Sequence, residues 1–260
     1  MCLAGLINAL LLTGRKIEDT KLVLNGAGAA GIACINLMHN YGLKKENITV
    51  CDTRGVIFKG REAGMNEYKE AFARDTHLRT LQDACKGADV FVGVSAAGVL
   101  TGDMLLTMAE KPIIFAMANP EPEIDPTTAR IVRPDAIVAT GRSDYPNQIN
   151  NVMCFPFLFR GTLDTRATEI NEEMKMAAAL ALAELARTEV PDEVARAYNG
   201  KRMSFGNEYI MPTPFDPRLI FKVSEAVAKA AIKSGVAKIN ITDWEAYKFK
   251  LMMKTQHTYF

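Results

Sequence analysis

Residues 21–33 read KLVLNGAGAAGIA, an apolar run followed by glycines spaced G-x-G-x-x-G and the start of a helical stretch. A buried strand, a tight glycine turn and a helix form the arrangement that holds a diphosphate in many proteins. Gly26 permits the turn, Gly28 lets the backbone approach a pyrophosphate, and Gly31 lets the helix pack closely on the strand. The helix directs unpaired N–H groups and its positive dipole end at the phosphates. The predicted phosphate loop therefore comprises Gly26, Ala27, Gly28, Ala29, Ala30 and Gly31.

A second strand, residues 48–51, ends in Asp52, which lies 21 residues after Gly31. Dinucleotide-binding folds place an acidic residue about 20 residues on, where it hydrogen-bonds the adenosine ribose. The combination predicts a dinucleotide site. Two alternatives remain on the residues alone: a glycine turn in a nucleotide-free core, and a site for FAD or S-adenosylmethionine, which share the early motif.

Composition narrows the class of protein. The chain has 260 residues, a formal net charge of +1 and 48% hydrophobic residues, which suits one large domain or a domain with an appended piece. Near-neutral charge argues against a nucleic-acid or membrane-surface role. Five scattered cysteines without a C-x-x-C pair predict free thiols and a reducing, cytoplasmic location. The apolar residues 1–12 are too short to span a bilayer and predict a buried helix.

Apolar strands alternate with helices along most of the chain, which indicates parallel βαβ units. The predicted fold class is α/β, a Rossmann-like doubly wound parallel sheet with extra C-terminal helices. The predicted strands are 21–25, 48–52, 89–95, 112–118 and 136–140; the predicted helices are 1–12, 32–41, 62–75, 81–86, 101–109, 168–188 and 219–234. The predicted domains are a linking helix (1–17), a dinucleotide-binding domain (18–165) and a helical extension (166–260).

Polar residues follow several of these strands. Ser95 and Ala96 follow one strand; because Ser95 lies in no G-x-S-x-G elbow, it is predicted to contact a cofactor rather than act as a nucleophile. Asn119 follows another strand, and residues 141–151 hold more asparagines. Asparagine offers a donor and an acceptor without charge, which suits a carboxamide or a hydroxy acid, although turn formation explains it equally well.

The histidines are isolated in the sequence. His39, His77 and His257 have no partner at metal-ligand or triad spacing, so each is predicted to be a surface or structural residue.

Four segments carry a resemblance to a known family. NGAGAAGIAC, VCDTRGVI, ANPEPEI and above all ATGRSDYPNQINNVMCFPFLFRG resemble the nucleotide-binding domain of malic enzyme. SFGNEYIMPTPFDPRLI and EAVAKAAIKSGVA are similar to the bacterial type. The resemblance covers most of the chain and is strongest to the long bacterial form, which carries a phosphotransacetylase-like domain further on.

The resemblance implies an activity and roles for named residues. The family oxidises malate with NAD or NADP and decarboxylates the product to pyruvate, using Mg²⁺ or Mn²⁺. By the motif match, Asn119, Asn150 and Asn151 contact malate or the nicotinamide end. Asp52 lies near the adenosine ribose, and Ser95 and Ala96 line the cofactor cleft.

The same resemblance implies that the general-base lysine, the tyrosine acid and the acidic metal ligands precede residue 1. We therefore assign no catalytic and no metal-binding residue in this chain. We expect the chain alone to bind a dinucleotide weakly and turn over nothing, and to work with an upstream catalytic domain in a homo-oligomer. The alternatives are a non-catalytic dinucleotide-binding or interaction module, and another two-domain NAD(P)-dependent dehydrogenase, against which the NQINN motif argues.

The choice between NAD and NADP rests on one acidic and three basic residues. Asp52 favours NAD because it repels a 2′-phosphate. Arg54, Lys59 and Arg61 are near enough in sequence to neutralise that phosphate, or else form a solvated loop. The long bacterial forms mostly use NADP, so NADP is the predicted cofactor; Arg54 is its candidate contact.

Overall fold

The structure, a computed structural model, describes residues 1–256; His257 lies outside the described residues. The strands are β1 (Leu22–Asn25), β2 (Ile48–Asp52), β3 (Gly55–Val56), β4 (Val90–Gly93), β5 (Ile113–Ala116) and β6 (Ile137–Thr140). The helices are α1 (Cys2–Thr13), α2 (Ala29–Asn40), α3 (Glu67–Glu70), α4 (Leu81–Cys85), α5 (Gly102–Thr107), α6 (Pro126–Val132), α7 (Phe155–Asp164), α8 (Glu172–Arg187), α9 (Asp192–Ala197), α10 (Leu219–Lys233) and α11 (Trp244–Gln256).

The described chain divides into two compact units. One, here called the sheet unit, holds residue 2 and residues 6–149; the other, the helical unit, holds residue 1, residues 3–5 and the residues from 150 onward. The domain bounds at residues 17 and 165 stay a prediction.

The sheet unit is built on six strands in the order β3-β2-β1-β4-β5-β6. All neighbours pair in parallel except β2 and β3, which are antiparallel. Residues of β1, β4, β5 and β6 are buried throughout, as expected for a sheet covered on both faces.

Helices cover the two faces of this sheet. One register row, Val23, Phe91, Ile114 and Val138, forms a core cluster with buried residues of α4, α5 and α6. The helix α2 lies on the opposite face, against Leu24. The predicted Rossmann-like doubly wound fold is therefore confirmed.

The helical unit centres on α10, which packs against α7 and α8. The approach of α7 is close at Gly161, where a Cβ atom would lie 2.5 Å from the Ser224 carbonyl oxygen. On α11, the Tyr247 hydroxyl donates to Asp164 of α7 at 2.9 Å. The predicted C-terminal helices are thus present, although α7, α9 and α11 were not predicted.

Two parts of the sheet unit differ from the predicted elements. The helix predicted over 62–75 is wrong, because only Glu67–Glu70 is helical, with the Asn66 side chain as its N-cap. The helix α6 was missed although Asp125 caps it and Pro126 occupies its first turn, which is a typical start signal. Each strand predicted from apolar runs except β2 is shorter in the structure.

The first helix is mostly buried, as predicted. Leu3, Leu6 and Leu10 are at most 4% exposed, whereas Leu11 is 56% exposed. Among residues 1–256, no helix is long and apolar enough to cross a membrane.

Candidate functional site

The glycines of the phosphate loop differ in what surrounds them. Gly26 has φ +116°, which favours glycine, and a Cβ there would lie 2.6 Å from the Val94 carbonyl oxygen. A Cβ at Gly31 would lie 2.0 Å from the carbonyl oxygen of Gly26. These two positions bring the turn, β4 and α2 too close together for any side chain.

Gly28 faces open space instead. It precedes α2 as its N-cap, with φ −83° and ψ −178°, and a Cβ there would meet no atom within 4 Å. Gly28, Ala29 and Ala30 are exposed, so the first turn of the twelve-residue helix α2 is open to a ligand. Because unpaired N–H groups and the positive dipole end lie there, a pyrophosphate fits this cradle.

Asp52 ends β2 and carries two cationic partners. Its carboxylate accepts from Arg61 Nη2 at 2.8 and 2.6 Å and from Lys69 Nζ at 2.8 Å. The main-chain N–H of Arg54 donates to the same carboxylate at 2.9 Å. The negative charge predicted to repel a 2′-phosphate is therefore neutralised within the protein.

Arg61 is buried, with 8% of its surface exposed. Its remaining guanidinium groups donate to the carbonyl oxygens of Ala63 at 3.0 Å and Val56 at 3.1 Å. The alternative of a solvated basic loop is thus wrong for Arg61. Arg54 and Lys59 are exposed, as a solvated loop requires.

The surroundings of Asp52 set its pKa. Burial by itself would raise the pKa, but the hydrogen bonds from Arg61 and Lys69 outweigh it and hold the pKa below its usual value. A carboxyl whose pKa is lowered in the folded state contributes stability above its unfolded pKa, and that contribution is lost as the pH falls through the lowered folded value.

We therefore expect Asp52→Asn to destabilise the protein in a pH-dependent way. The difference in urea midpoint between the wild type and Asp52→Asn should be constant from about pH 7 to pH 5 and shrink below about pH 4, where the carboxyl of the unfolded wild-type chain takes up a proton before the folded one does. Urea unfolding of both proteins across this range measures it. A difference that stays the same down to about pH 3 would contradict the assigned ion pairs.

A polar network joins the carboxyl ends of β1, β4 and β5. Asn25 Nδ2 donates to Ser95 Oγ at 2.7 Å. Ser95 N donates to Glu123 Oε1 at 2.8 Å, and Ala118 N donates to Glu123 Oε2 at 3.0 Å. Ser95, Ala96 and Asn119 are exposed at this edge of the sheet, and the Asn119–Pro120 peptide is cis.

The structure therefore brings the predicted cofactor residues of the sheet unit to one edge. The phosphate loop, Asp52, Ser95 and Asn119 all follow carboxyl ends of strands in the parallel part of the sheet. The switch point of the strand order lies between β1 and β4, where such sheets bind ligands. The sequence analysis did not identify Lys69 or Glu123 as site residues. Their side-chain types indicate only that Lys69 can pair with a carboxylate and that Glu123 can accept hydrogen bonds from N–H groups.

The asparagines of the long motif lie in different settings. Asn150 and Asn151 belong to the helical unit, where the Asn150 side chain accepts from Val152 N at 3.0 Å and Asn151 is exposed. Asn147, in the sheet unit, is 5% exposed and donates to the Val138 carbonyl at 3.1 Å. Asn147 has φ +59°, the left-handed conformation typical of asparagine in turns, so turn formation accounts for it. Contact with malate stays a prediction for Asn150 and Asn151.

The described part of the chain contains no cluster of side chains that could hold a metal ion. Within residues 1–256, no group of three or more His, Cys, Asp or Glu side chains is placed to hold a metal ion. His39 Nδ1 lies 2.8 Å from the Leu43 carbonyl oxygen, and His77 is exposed.

Comparisons with known proteins identify the family. Residues 1–198 match the family model described as malic enzyme, NAD binding domain. The chain is 60% identical over 248 residues to a probable NADP-dependent malic enzyme of Rickettsia prowazekii, covering 95% of this chain and 32% of that protein. It is 55% identical over 248 residues to an NAD-dependent malic enzyme of Rhizobium meliloti, covering 95% and 32%.

A solved structure agrees with these relatives. The crystal structure of Entamoeba histolytica malic enzyme superposes with a TM-score of 0.83 at 33% identity, covering 98% of this chain and 53% of that one. The chain spans about a third of the length of these two curated relatives. On the family match, the chain belongs to the malic enzyme family and contains its NAD-binding domain.

Proposed function

We propose that this chain binds NADP(H) along the carboxyl edge of its sheet and forms the cofactor-binding part of an enzyme that oxidatively decarboxylates malate to pyruvate. The observation that carries the proposal is the open cradle at Gly28, flanked by two glycines whose surroundings admit no side chain. A pyrophosphate approaching Gly28 meets the first turn of α2 and no protein atom. When bound, the nicotinamide supplies the hydride acceptor for oxidising the alcohol.

The strand order supports different contact residues for the two halves of the dinucleotide. The adenosine half lies over β2, close to Asp52, and the nicotinamide half over β4 and β5, because the two halves extend to opposite sides of the switch point. Ser95, Ala96 and Asn119 then contact the nicotinamide half. The carboxamide of Asn119 orients a carboxamide or hydroxy acid through one donor and one acceptor.

The charge around Asp52 supports NADP over NAD. Arg61 and Lys69 neutralise the carboxylate, and the exposed Arg54 side chain lies beside Gly64, whose carbonyl accepts from Lys69 at 2.7 Å. Three cationic side chains beside one carboxylate attract a 2′-phosphate. Because malic enzymes dependent on NADP and on NAD both match this chain, the preference is a proposal from the geometry.

Four further features also stay proposals: substrate contact by Asn150 and Asn151, the divalent metal ion, the upstream catalytic domain and the oligomer. Among residues 1–256, no cluster of His, Cys, Asp and Glu side chains fits a metal ion, so the proposal gives these residues no part in holding one.

Parallel calorimetric titrations of the chain with NADPH and NADH test the proposal. We expect NADPH to bind at least about tenfold more tightly, the equivalent of about 1.4 kcal/mol from the charge-assisted contacts of its 2′-phosphate. Lys69→Gln should weaken NADPH and leave NADH unchanged. Lys86→Gln is the matched control, since Lys86 is exposed and precedes β4 at the amino-terminal edge of the sheet.

The outcomes separate the two parts of the proposal. Binding of neither dinucleotide by the wild-type chain would refute the cofactor function. Equal binding of both, with Lys69→Gln affecting both or neither, would refute the NADP preference and leave the dinucleotide site standing.

A further inference from the structure

Glu123 is a fully buried carboxylate beneath the predicted site. It lies in the segment that follows β5, four residues after Asn119, and is 0% exposed. Its side chain accepts three hydrogen bonds, from Ser95 N at 2.8 Å, Ser95 Oγ at 3.3 Å and Ala118 N at 3.0 Å. Burying a carboxylate costs free energy unless the group is hydrogen-bonded. The bonds to Glu123 therefore hold Ser95 and the N–H group of Ala118 in place.

The backbone of β4 lies directly against this side chain. A Cβ at Gly93, the last residue of β4, would lie 2.3 Å from the Glu123 carboxyl carbon. The main chain adds two further ties: Gly98 N donates to the Pro122 carbonyl at 3.1 Å, and Leu100 N donates to the Glu123 carbonyl at 3.0 Å. The loops that follow β4 and β5 are therefore bonded to each other around one carboxylate.

The two residues that donate hydrogen bonds to Glu123 lie at the exposed site. Ser95 is itself at the open edge, and Ala118 directly precedes Asn119. Ser95 Oγ also accepts from Asn25, the last residue of β1 and the neighbour of the phosphate loop. The Glu123 carboxylate is thus bonded directly to Ser95 after β4 and to Ala118 after β5, and only indirectly, through the Ser95 hydroxyl, to Asn25 of β1.

We propose that Glu123 is a positioning residue that sets the nicotinamide half of the dinucleotide site, by holding Ser95 and the peptide before Asn119 in place. The inference rests on the dinucleotide-binding function proposed above. The strand order supports it, because β4 and β5 lie on one side of β1 whereas β2 and Asp52 lie on the other. Glu123 therefore bears on one half of the ligand and not on the adenosine half.

This asymmetry separates a positioning role from mere support of the fold. Loss of general stability would weaken every ligand alike. Loss of positioning should weaken NADPH and spare 2′-phospho-ADP-ribose, which carries the adenosine half and the pyrophosphate but no nicotinamide.

The variant Glu123→Gln tests the proposal in calorimetric titrations of the 260-residue chain with both ligands. A glutamine keeps the size of the side chain but replaces one acceptor oxygen with an NH₂ group, which cannot accept from Ser95 N or Ala118 N. We expect NADPH to bind about tenfold more weakly and the affinity for 2′-phospho-ADP-ribose to change less than about twofold.

Glu121→Gln is the matched control. Glu121 lies two residues earlier in the same loop, its side chain is 67% exposed, and it pairs with Arg142 at 3.6 Å. It should leave both affinities unchanged. Glu123→Asp keeps the charge but draws the carboxylate back by one methylene, and serves in the same titrations if the glutamine variant fails to fold.

Three results would overturn the inference. If the variant at 123 binds both ligands like the wild type, or weakens both equally, Glu123 does not position the nicotinamide half. If the wild-type chain binds neither ligand, the proposed function fails and the inference fails with it. The first two results leave the dinucleotide site intact, so the two failures are distinguishable.

Discussion

Replacing Gly31 with alanine should destabilise the whole sheet unit. The added Cβ would lie 2.0 Å from the Gly26 carbonyl oxygen and 3.2 Å from Leu24 Cδ2, and the first of these atoms is backbone that cannot rotate away. The helix α2 must then move off β1, which disturbs the buried packing of Ile32 and Ile35. We expect a cost of about 3 kcal/mol, the upper end for overpacking, and a fall in melting temperature of about 10 °C.

Thermal unfolding followed by circular dichroism measures this effect. Gly28→Ala is the matched control, because its Cβ meets no atom within 4 Å and its φ of −83° suits any residue. Its melting temperature should stay within about 2 °C of the wild type, the range for exposed substitutions. A wild-type melting temperature for Gly31→Ala would show that α2 does not approach β1 as closely as described.

Replacing Gly28 with valine should abolish dinucleotide binding while the protein stays folded. The branched side chain would fill the open space in front of the first turn of α2, where we place the pyrophosphate. Contacts of the phosphates with the helix N-terminus would be lost together. We expect at least about hundredfold weaker NADPH binding, the equivalent of about 2.7 kcal/mol.

Calorimetry with NADPH, together with the melting temperature, checks this expectation. Asn36→Val introduces the same side chain at an exposed position of α2 about two turns further along, and should bind NADPH like the wild type. Unchanged NADPH affinity in Gly28→Val would refute the assignment of the phosphate loop. A wild-type affinity with a lowered melting temperature would refute it equally, since only the fold would then depend on Gly28.

Much of the sheet unit was predictable because its signals are local. The apolar runs that became β1, β2, β4, β5 and β6 are visible without any partner, and the glycine spacing predicts a turn from backbone sterics alone. The helix predicted over 62–75 was wrong because Gly64 has φ +72° and Asn66 is an extended N-cap, in a segment where Arg61 and Lys69 both pair with Asp52. Propensity cannot reveal such a contact, since it joins residues from separate elements.

Some features of the candidate site were likewise predictable from local sequence, and others were not. The sequence by itself determined the strand–glycine–helix unit, its open position at Gly28 and the acidic residue after β2, because spacing along one chain specifies them. The tertiary structure decided that Asp52 is neutralised and that Glu123 joins the ends of β4 and β5. Ion pairs and buried hydrogen bonds depend on distances of about 3 Å between residues far apart in sequence, and only the assembled order of the strands sets those distances.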